Sequence, residues 1–327
     1  MITDFLDSIP SHVLNRSKNL DLRVRSVNAH SAIDEVLSRT VLRGGKRLRP
    51  LLTYLVANLL KIDLDAITPF ARASELVHAA SLSHDDVIDN ATLRRGAPSI
   101  NILSTNKKAV LAGDYLLSSV IVDLCSTGEL PLVNEMSLVI KDLSEGEWLQ
   151  LDLISSRDYT RELIREIALK KTSSVMSYCT LAPAMLAKMP QEIQNICRNF
   201  GVSLGLAFQL IDDTLDYSGD SLKDQELDLK NGIVNAVVFE LLSTRPDLME
   251  RFKSGEDLTG LLISEDMNPS VKLISDEALN HLENARMALS ALEEHLGVTL
   301  YKNRPKELEE ALEHLHLVIS YMALRQN

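Results

Sequence analysis

Apolar residues recur at three- to four-residue spacing along almost the whole 327-residue chain, and few breakers interrupt that period. With 13 Gly and 10 Pro, turn residues are too sparse for a sandwich or barrel, which reverses direction roughly every eight to twelve residues. Aromatic residues make up 4% of the chain and hydrophobic residues 45%, so the core material is Leu, Ile, Val, Ala and Met. That mixture favours helices. The period predicts helices over 31–42, about 69–90, 107–126, 132–154, 158–188 and 191–217, with amphipathic helices after residue 255. Leu308, Ala311, Leu315, Val318 and Met322 trace the apolar stripe of the last one. No alternating strand pattern, repeat or low-complexity linker is present. The expected architecture is all-α, one large helical bundle forming a single domain over residues 1–327.

A formal net charge of −12 excludes a nucleic-acid surface, which needs clustered positive charge, and disfavours an anionic membrane as partner. No apolar run approaches the roughly 18–20 residues that span a bilayer. The first twelve residues carry Asp4 and Asp7 and lack the apolar stretch of a signal peptide, so the expected location is cytoplasmic. Cys125, Cys179 and Cys197 lie far apart and suit buried thiols in a reducing compartment.

Two acidic clusters break this pattern. Asp85-Asp86-Val87-Ile88-Asp89 closes one apolar helix and Asp212-Asp213-Thr214-Leu215-Asp216 closes another. In each, the first and last Asp stand at i and i+4, so their carboxylates share a helix face and repel. Keeping them beside a core is costly without a cation. Hard divalent ions with oxygen ligands, Mg²⁺ above all, offset that cost and usually complete their shell with substrate phosphates. Two cationic segments complement them. Gly44-Gly45-Lys46-Arg47-Leu48-Arg49-Pro50 opens a helix, and Arg94-Arg95-Gly96 follows the first acidic cluster. A helix N-terminus flanked by Arg and Lys suits a phosphate. Together the four clusters describe a cavity for two anionic groups, one held through metal and one through Arg and Lys.

The segments GGKRLRP, HAASLSHDDVIDNATLRRG, AGDYLL, EGEWLQL, KKTS and FQLIDDTLDYSGD, in this order, resemble the trans-type polyprenyl diphosphate synthases, octaprenyl-like members included. The resemblance runs from about residue 30 to the C-terminus. It implies the isoprenoid synthase fold, an all-α bundle with the acidic motifs facing across a central cavity, and a homodimer. It implies condensation of isopentenyl diphosphate with an allylic prenyl diphosphate, with Mg²⁺ as cofactor. The implied metal set is Asp85, Asp86, Asp89, Asp212, Asp213 and Asp216, with Asp85, Asp89, Asp212 and Lys171 carrying the ionisation step. Lys46, Arg49, His78 and Arg95 match the isopentenyl diphosphate site; Arg94, Lys171, Thr172, Gln209 and Lys223 match contacts to the allylic substrate. His78 precedes Asp85 by seven residues, so helical spacing puts the two on one face.

In such proteins the residues before the first acidic motif floor the product tunnel. Ala80, Ser81 and Ser74 are small here, which implies a long-chain product of about eight isoprene units. Asp114 is expected to be a buried helix residue, Trp148 to pack in the core or edge the tunnel, and Met176, Met185 and Met189 to fill core. The chain departs from the pattern after the second motif. Lys223 is kept, but Asn231 stands for Glu, Ile233 for Lys and Asn235 for Thr. The lost cation implies slower turnover or assembly with a partner subunit, unless Lys230 reaches in. Two other readings are a non-catalytic partner subunit, which would tend to lose carboxylates that this chain keeps, and a terpene cyclase, which would lack GGKRLRP.

Overall fold

In the computed structural model of the chain, residues 5, 8–24, 31–217, 232–258, 260, 262 and 266–324 are described. The chain runs through α1 (Ser11–Lys18), α2 (Ser31–Arg39), α3 (Leu48–Leu59) and α4 (Leu64–Ile88). A hairpin of β1 (Leu93–Arg94) and β2 (Ala97–Pro98) follows, then α5 (Ile100–Leu103), α6 (Asn106–Cys125) and α7 (Leu130–Ser156). Next come α8 (Arg161–Ala168), a π turn (Leu169–Ser173), α9 (Ser174–Leu186) and α10 (Gln191–Leu215). The last helices are α11 (Ala236–Thr244), α12 (Pro246–Lys253), α13 (Asn268–Val298) and α14 (Pro305–Leu324). The all-α expectation holds. The one sheet among the described residues is the hairpin, with Leu93 opposite Pro98 and Arg94 opposite Ala97, too short for any alternating pattern to reveal.

Helices α4 and α10 set the frame. Each has 25 residues, a rod of about 37 Å at helical rise. α4 begins at Leu64 rather than near Pro69 because the Asp63 carboxylate caps it, accepting from Asp65 N (3.2 Å). The single helix expected over 158–188 is interrupted. Thr160 caps α8 through Leu163 N (3.2 Å), and the π turn then inserts a wider ring before α9. α10 packs between α9 and α13, and α4 packs against α3 and α6. Tyr54, Phe70, Tyr178 and Phe200 are wholly enclosed in the core they form. A smaller cluster of Leu153, Tyr159, Val238, Leu242 and Phe252 gathers α11 and α12 under α7.

Three sequence expectations are corrected here. Trp148 is 70% exposed on α7, neither core nor cavity wall. Asp114 is exposed and faces His84 Nε2 at 3.4 Å. Cys125 is exposed, whereas Cys179 and Cys197 are buried and all three are free. Periodicity fixes which side of a helix is apolar but not whether another helix covers it. Met176 is buried, and Met185 and Met189 pack on the core as expected. Among the described residues no helix is long and apolar enough to cross a membrane.

The α9–α10 contact depends on Gly201. A Cβ there would lie 2.5 Å from Met176 O and 2.6 Å from Ser177 Cα, far inside contact distance. Gly201→Ala is therefore expected to lower stability by about 2 kcal/mol through overpacking. Thermal or urea unfolding of the variant checks this, and an unchanged midpoint would show that the two helices can part freely.

Candidate active site

Both acidic motifs sit at the C-terminal ends of long helices, α4 and α10, where the helix dipole already concentrates negative charge. The dipole offers the outer carboxylates no stabilisation there. The two helix ends converge on one cavity of about 420 Å³, lined by Asp85 from the first motif and Asp213 and Asp216 from the second. Arg49, His78, Lys171, Thr172 and Gln209 line the same space.

The middle aspartate of each motif behaves differently from its neighbours. Asp86 is wholly buried. Its Oδ1 accepts from Arg94 Nε (2.8 Å) and Nη2 (2.6 Å), and its Oδ2 from Ile100 N (3.3 Å). Asp213 is also buried, accepting from Gln209 Nε2 (2.9 Å) and Ala236 N (3.0 Å). A residue at i+1 is turned about 100° from residue i, whereas i+4 is turned only about 40°. The middle carboxylates therefore pin the segments that follow each helix, and Asp213 also lines the cavity. Asp216 receives Asn235 Nδ2 at 3.4 Å. Asn235 also caps α11 through Val238 N (3.0 Å), a use that its replacement of Thr preserves.

Arg49 lines the cavity, and its Nε is enclosed without a hydrogen-bond partner. Burial lowers its pKa, with Glu75 opposing. His78 is pushed well below the ordinary imidazole range by burial and then by Arg49, Arg95 and Arg94. Three guanidinium groups thus converge on a neutral imidazole. Arg95 donates from Nη1 to Arg43 O (2.8 Å) and folds against the Gly44-Gly45 loop. Lys46 is exposed, and its ammonium donates to Tyr321 Oη on α14 at 2.9 Å, a partner no local motif could disclose. Lys46 and Arg95 lie outside the cavity lining. Lys223 falls outside the described residues, as do Asn231 and Lys230.

Lys171 enters from the π turn. Thr172 Oγ1 bonds Gln209 Oε1 at 2.6 Å, extending a chain from the turn through Gln209 to Asp213. Sequence reasoning assigned no role to Glu147, Gln150, Arg161 or Arg165, all of which line the cavity. The i, i+3 spacing of Glu147 and Gln150 was a usable signal. Arg161 pairs with Glu240 and Arg165 with Glu277, and both stand in the wall that also contains Ile233. Of the residues expected to floor a tunnel, Ser81 lines the cavity, but Ala80 and Ser74 are sealed in the core.

Which ion would this site accept? Its donors are carboxylate oxygens, without thiolate or imidazole between them, which suits a hard divalent cation. Among the described residues no three His, Cys, Asp or Glu side chains form a closed cage. Asp85 on one side and Asp213 and Asp216 on the other fit an ion whose remaining ligands are water and diphosphate oxygens.

Burial raises the Asp85 carboxyl to about 7, with Lys171 opposing and Glu147 adding. Its folded value lies above the ordinary 3.8, so the neutral acid stabilises the fold below pH 4 and that contribution is lost as pH rises towards 7. Asp85→Asn removes this penalty. In metal-free protein the variant is expected to gain melting temperature over the parent at pH 8.5 and only about half as much at pH 5.5, midway through the range over which the penalty builds. An equal gain at both pH values would contradict the assignment.

Residues 30–257 match the family model described as polyprenyl synthetase. A prenyl transferase of Synechocystis is 34% identical over 260 residues, covering 76% of this chain and 80% of the relative. The mitochondrial solanesyl-diphosphate synthase 1 of Oryza sativa is 34% identical over 233 residues, covering 65% of this chain. This chain spans about half the length of the rice relative, 54%. A polyprenyl synthase from Caulobacter crescentus, solved with calcium and isoprenyl diphosphate, superposes with a TM-score of 0.80 at 26% identity, covering 98% of this chain and 97% of that one. The shared motifs, the isoprenoid synthase fold and these matches lead to one statement: the chain belongs to the polyprenyl synthetase family.

Proposed function

We propose that the protein is a chain-elongating prenyltransferase, condensing isopentenyl diphosphate with an allylic prenyl diphosphate to give a long-chain all-trans polyprenyl diphosphate. The observation that carries this reading is the convergence of both acidic helix ends with Lys171, Thr172, Gln209, Arg49 and His78 on one cavity. Calcium in the Caulobacter relative's structure supports an oxygen-ligated divalent ion, and Mg²⁺ is the ion proposed here.

Asp85 and Asp89 on one rim and Asp212 and Asp216 on the other would hold Mg²⁺, which would neutralise charge on the departing diphosphate. Lys171 donates to that diphosphate's oxygens, with Thr172 and Gln209 fixing the turn that carries it. Arg94, locked by Asp86, presents its remaining donors to the same group. These donors are aimed where charge develops as the C–O bond ionises, so they stabilise the transition state more than the ground state. Arg49, Arg95 and Lys46 bind the isopentenyl diphosphate. Neutral His78 can add a hydrogen bond there without another positive charge. Leu143, Ile164, Ile167 and Phe208 line the cavity and keep water from the allylic cation, whose capture would end elongation. The isopentenyl double bond attacks that cation, and the proton then lost is taken by the released diphosphate. No side-chain nucleophile takes part.

A homodimer is part of the proposal. Leu111 and Val122 on α6 and Leu130, Trp148 and Leu151 on α7 are exposed apolar side chains that a second copy would cover. Sedimentation is expected to show a dimer, and Trp148→Glu to shift it towards monomer; a monomeric parent protein would remove this element.

Incubation with farnesyl diphosphate, labelled isopentenyl diphosphate and Mg²⁺ should yield products longer than geranylgeranyl diphosphate. Asp85→Ala should lower the rate by about 10³-fold, the scale of losing a transition-state charge partner. A product that stops at geranylgeranyl diphosphate overturns the long-chain assignment, and a metal-independent product overturns the mechanism.

A further inference from the structure

Lys171 is not free to meet a diphosphate in this structure. Its ammonium pairs with the Glu147 carboxylate and donates to Gln150 Oε1 at 3.1 Å. Glu147 and Gln150 stand one turn apart on α7 and face the π turn together. The contact is built closely: a Cβ on Gly146 would come 2.8 Å from Lys171 Cγ and from Lys170 Cβ. Lys170, one residue back, is tied to Glu145 at 2.7 Å and Asp142 at 3.6 Å, clamping the turn to α7 from its outer side. The Glu147 side chain is 14% exposed and that of Lys171 26%, so the pair is largely withdrawn from water and interacts strongly.

Glu147, Gln150 and Lys171 line the same cavity as Asp85 of the first acidic motif. One ammonium therefore shares that space with the Glu147 and Asp85 carboxylates. Glu147 occupies, on Lys171, the place that an anionic oxygen of a diphosphate would take. As long as Asp85 and Asp89 lack a cation, a diphosphate approaching this rim meets uncompensated negative charge and a lysine already neutralised.

We infer that Glu147 is a positioning residue that makes diphosphate capture by Lys171 conditional on a divalent cation. It holds the ammonium in the metal-free site, and it releases Lys171 once cations at Asp85 and Asp89 draw the Glu147 carboxylate towards their water shell. The inference rests on the proposed diphosphate site and adds an order to its filling: cation first, lysine contact second.

The test uses inorganic diphosphate and the full chain, titrated calorimetrically in EDTA and again in Mg²⁺, with Mn²⁺ binding followed separately by electron paramagnetic resonance. Glu147→Gln keeps size and hydrogen bonding but removes the charge. In EDTA it is expected to bind diphosphate about five- to tenfold more tightly than the parent, and to bind Mn²⁺ alone about fivefold more weakly, the scale of one nearby charge in a partly screened site. Gln150→Glu, which adds a carboxylate beside Lys171, should move both affinities the opposite way. A merely structural Glu147 would weaken both ligands or neither, and either result overturns the inference, as does a failure of the two variants to diverge in sign. Loss of diphosphate binding by the parent protein in Mg²⁺ would instead overturn the proposed site itself.

Discussion

Repulsion between carboxylates at the C-terminal ends of α4 and α10 is the constraint on which the site depends. Each end stacks two like charges one turn apart, at the pole of the helix where a carboxylate is least welcome. The middle aspartate of each trio is buried and hydrogen-bonded, Asp86 by Arg94 and Ile100 N from the chain that follows, Asp213 by Gln209 one turn back and by Ala236 N. Of the outer pairs, Asp85 and Asp216 line one cavity, and Asp89 and Asp212 lie outside its lining. Burial then holds Asp85 near neutrality in its affinity for protons, so a proton and a divalent cation compete for the same oxygens.

The cationic side obeys a related logic. Arg94, Arg161 and Arg165 each meet a carboxylate partner in the described structure, and Lys46 meets a tyrosine hydroxyl. A guanidinium held on one edge keeps donors on the other, so its geometry is fixed before an anion arrives. Arg161 and Arg165 enter the wall beside Ile233, where the resembled family has a lysine. Both guanidinium groups are already paired, with Glu240 and Glu277.

Much of this was legible in the residues. The 3.6 period located α6, α7 and α10 to within two residues, and the i, i+4 aspartates identified the helix ends that matter. What escaped depended on contacts distant in sequence. Trp148 and Asp114 were expected inside, yet those faces of α6 and α7 lie uncovered. Tyr321 reaches Lys46 across 275 positions. The π turn adds one residue to a helical ring, which leaves no periodic trace, yet it aims Lys171 at Glu147. The inward turn of Asp86 and Asp213 could have been read from helical angles alone. The small residues Ser74 and Ala80 were expected to floor a tunnel, but tight packing by the core encloses them.

The central claim is that the two carboxylate rims act together on one diphosphate. Anomalous diffraction from crystals grown with Mn²⁺ and inorganic diphosphate tests it directly. The account predicts Mn²⁺ peaks touching Asp85 on one side and Asp212 on the other, with a single diphosphate between them. Manganese confined to one rim, or a diphosphate bound without touching either, would contradict it.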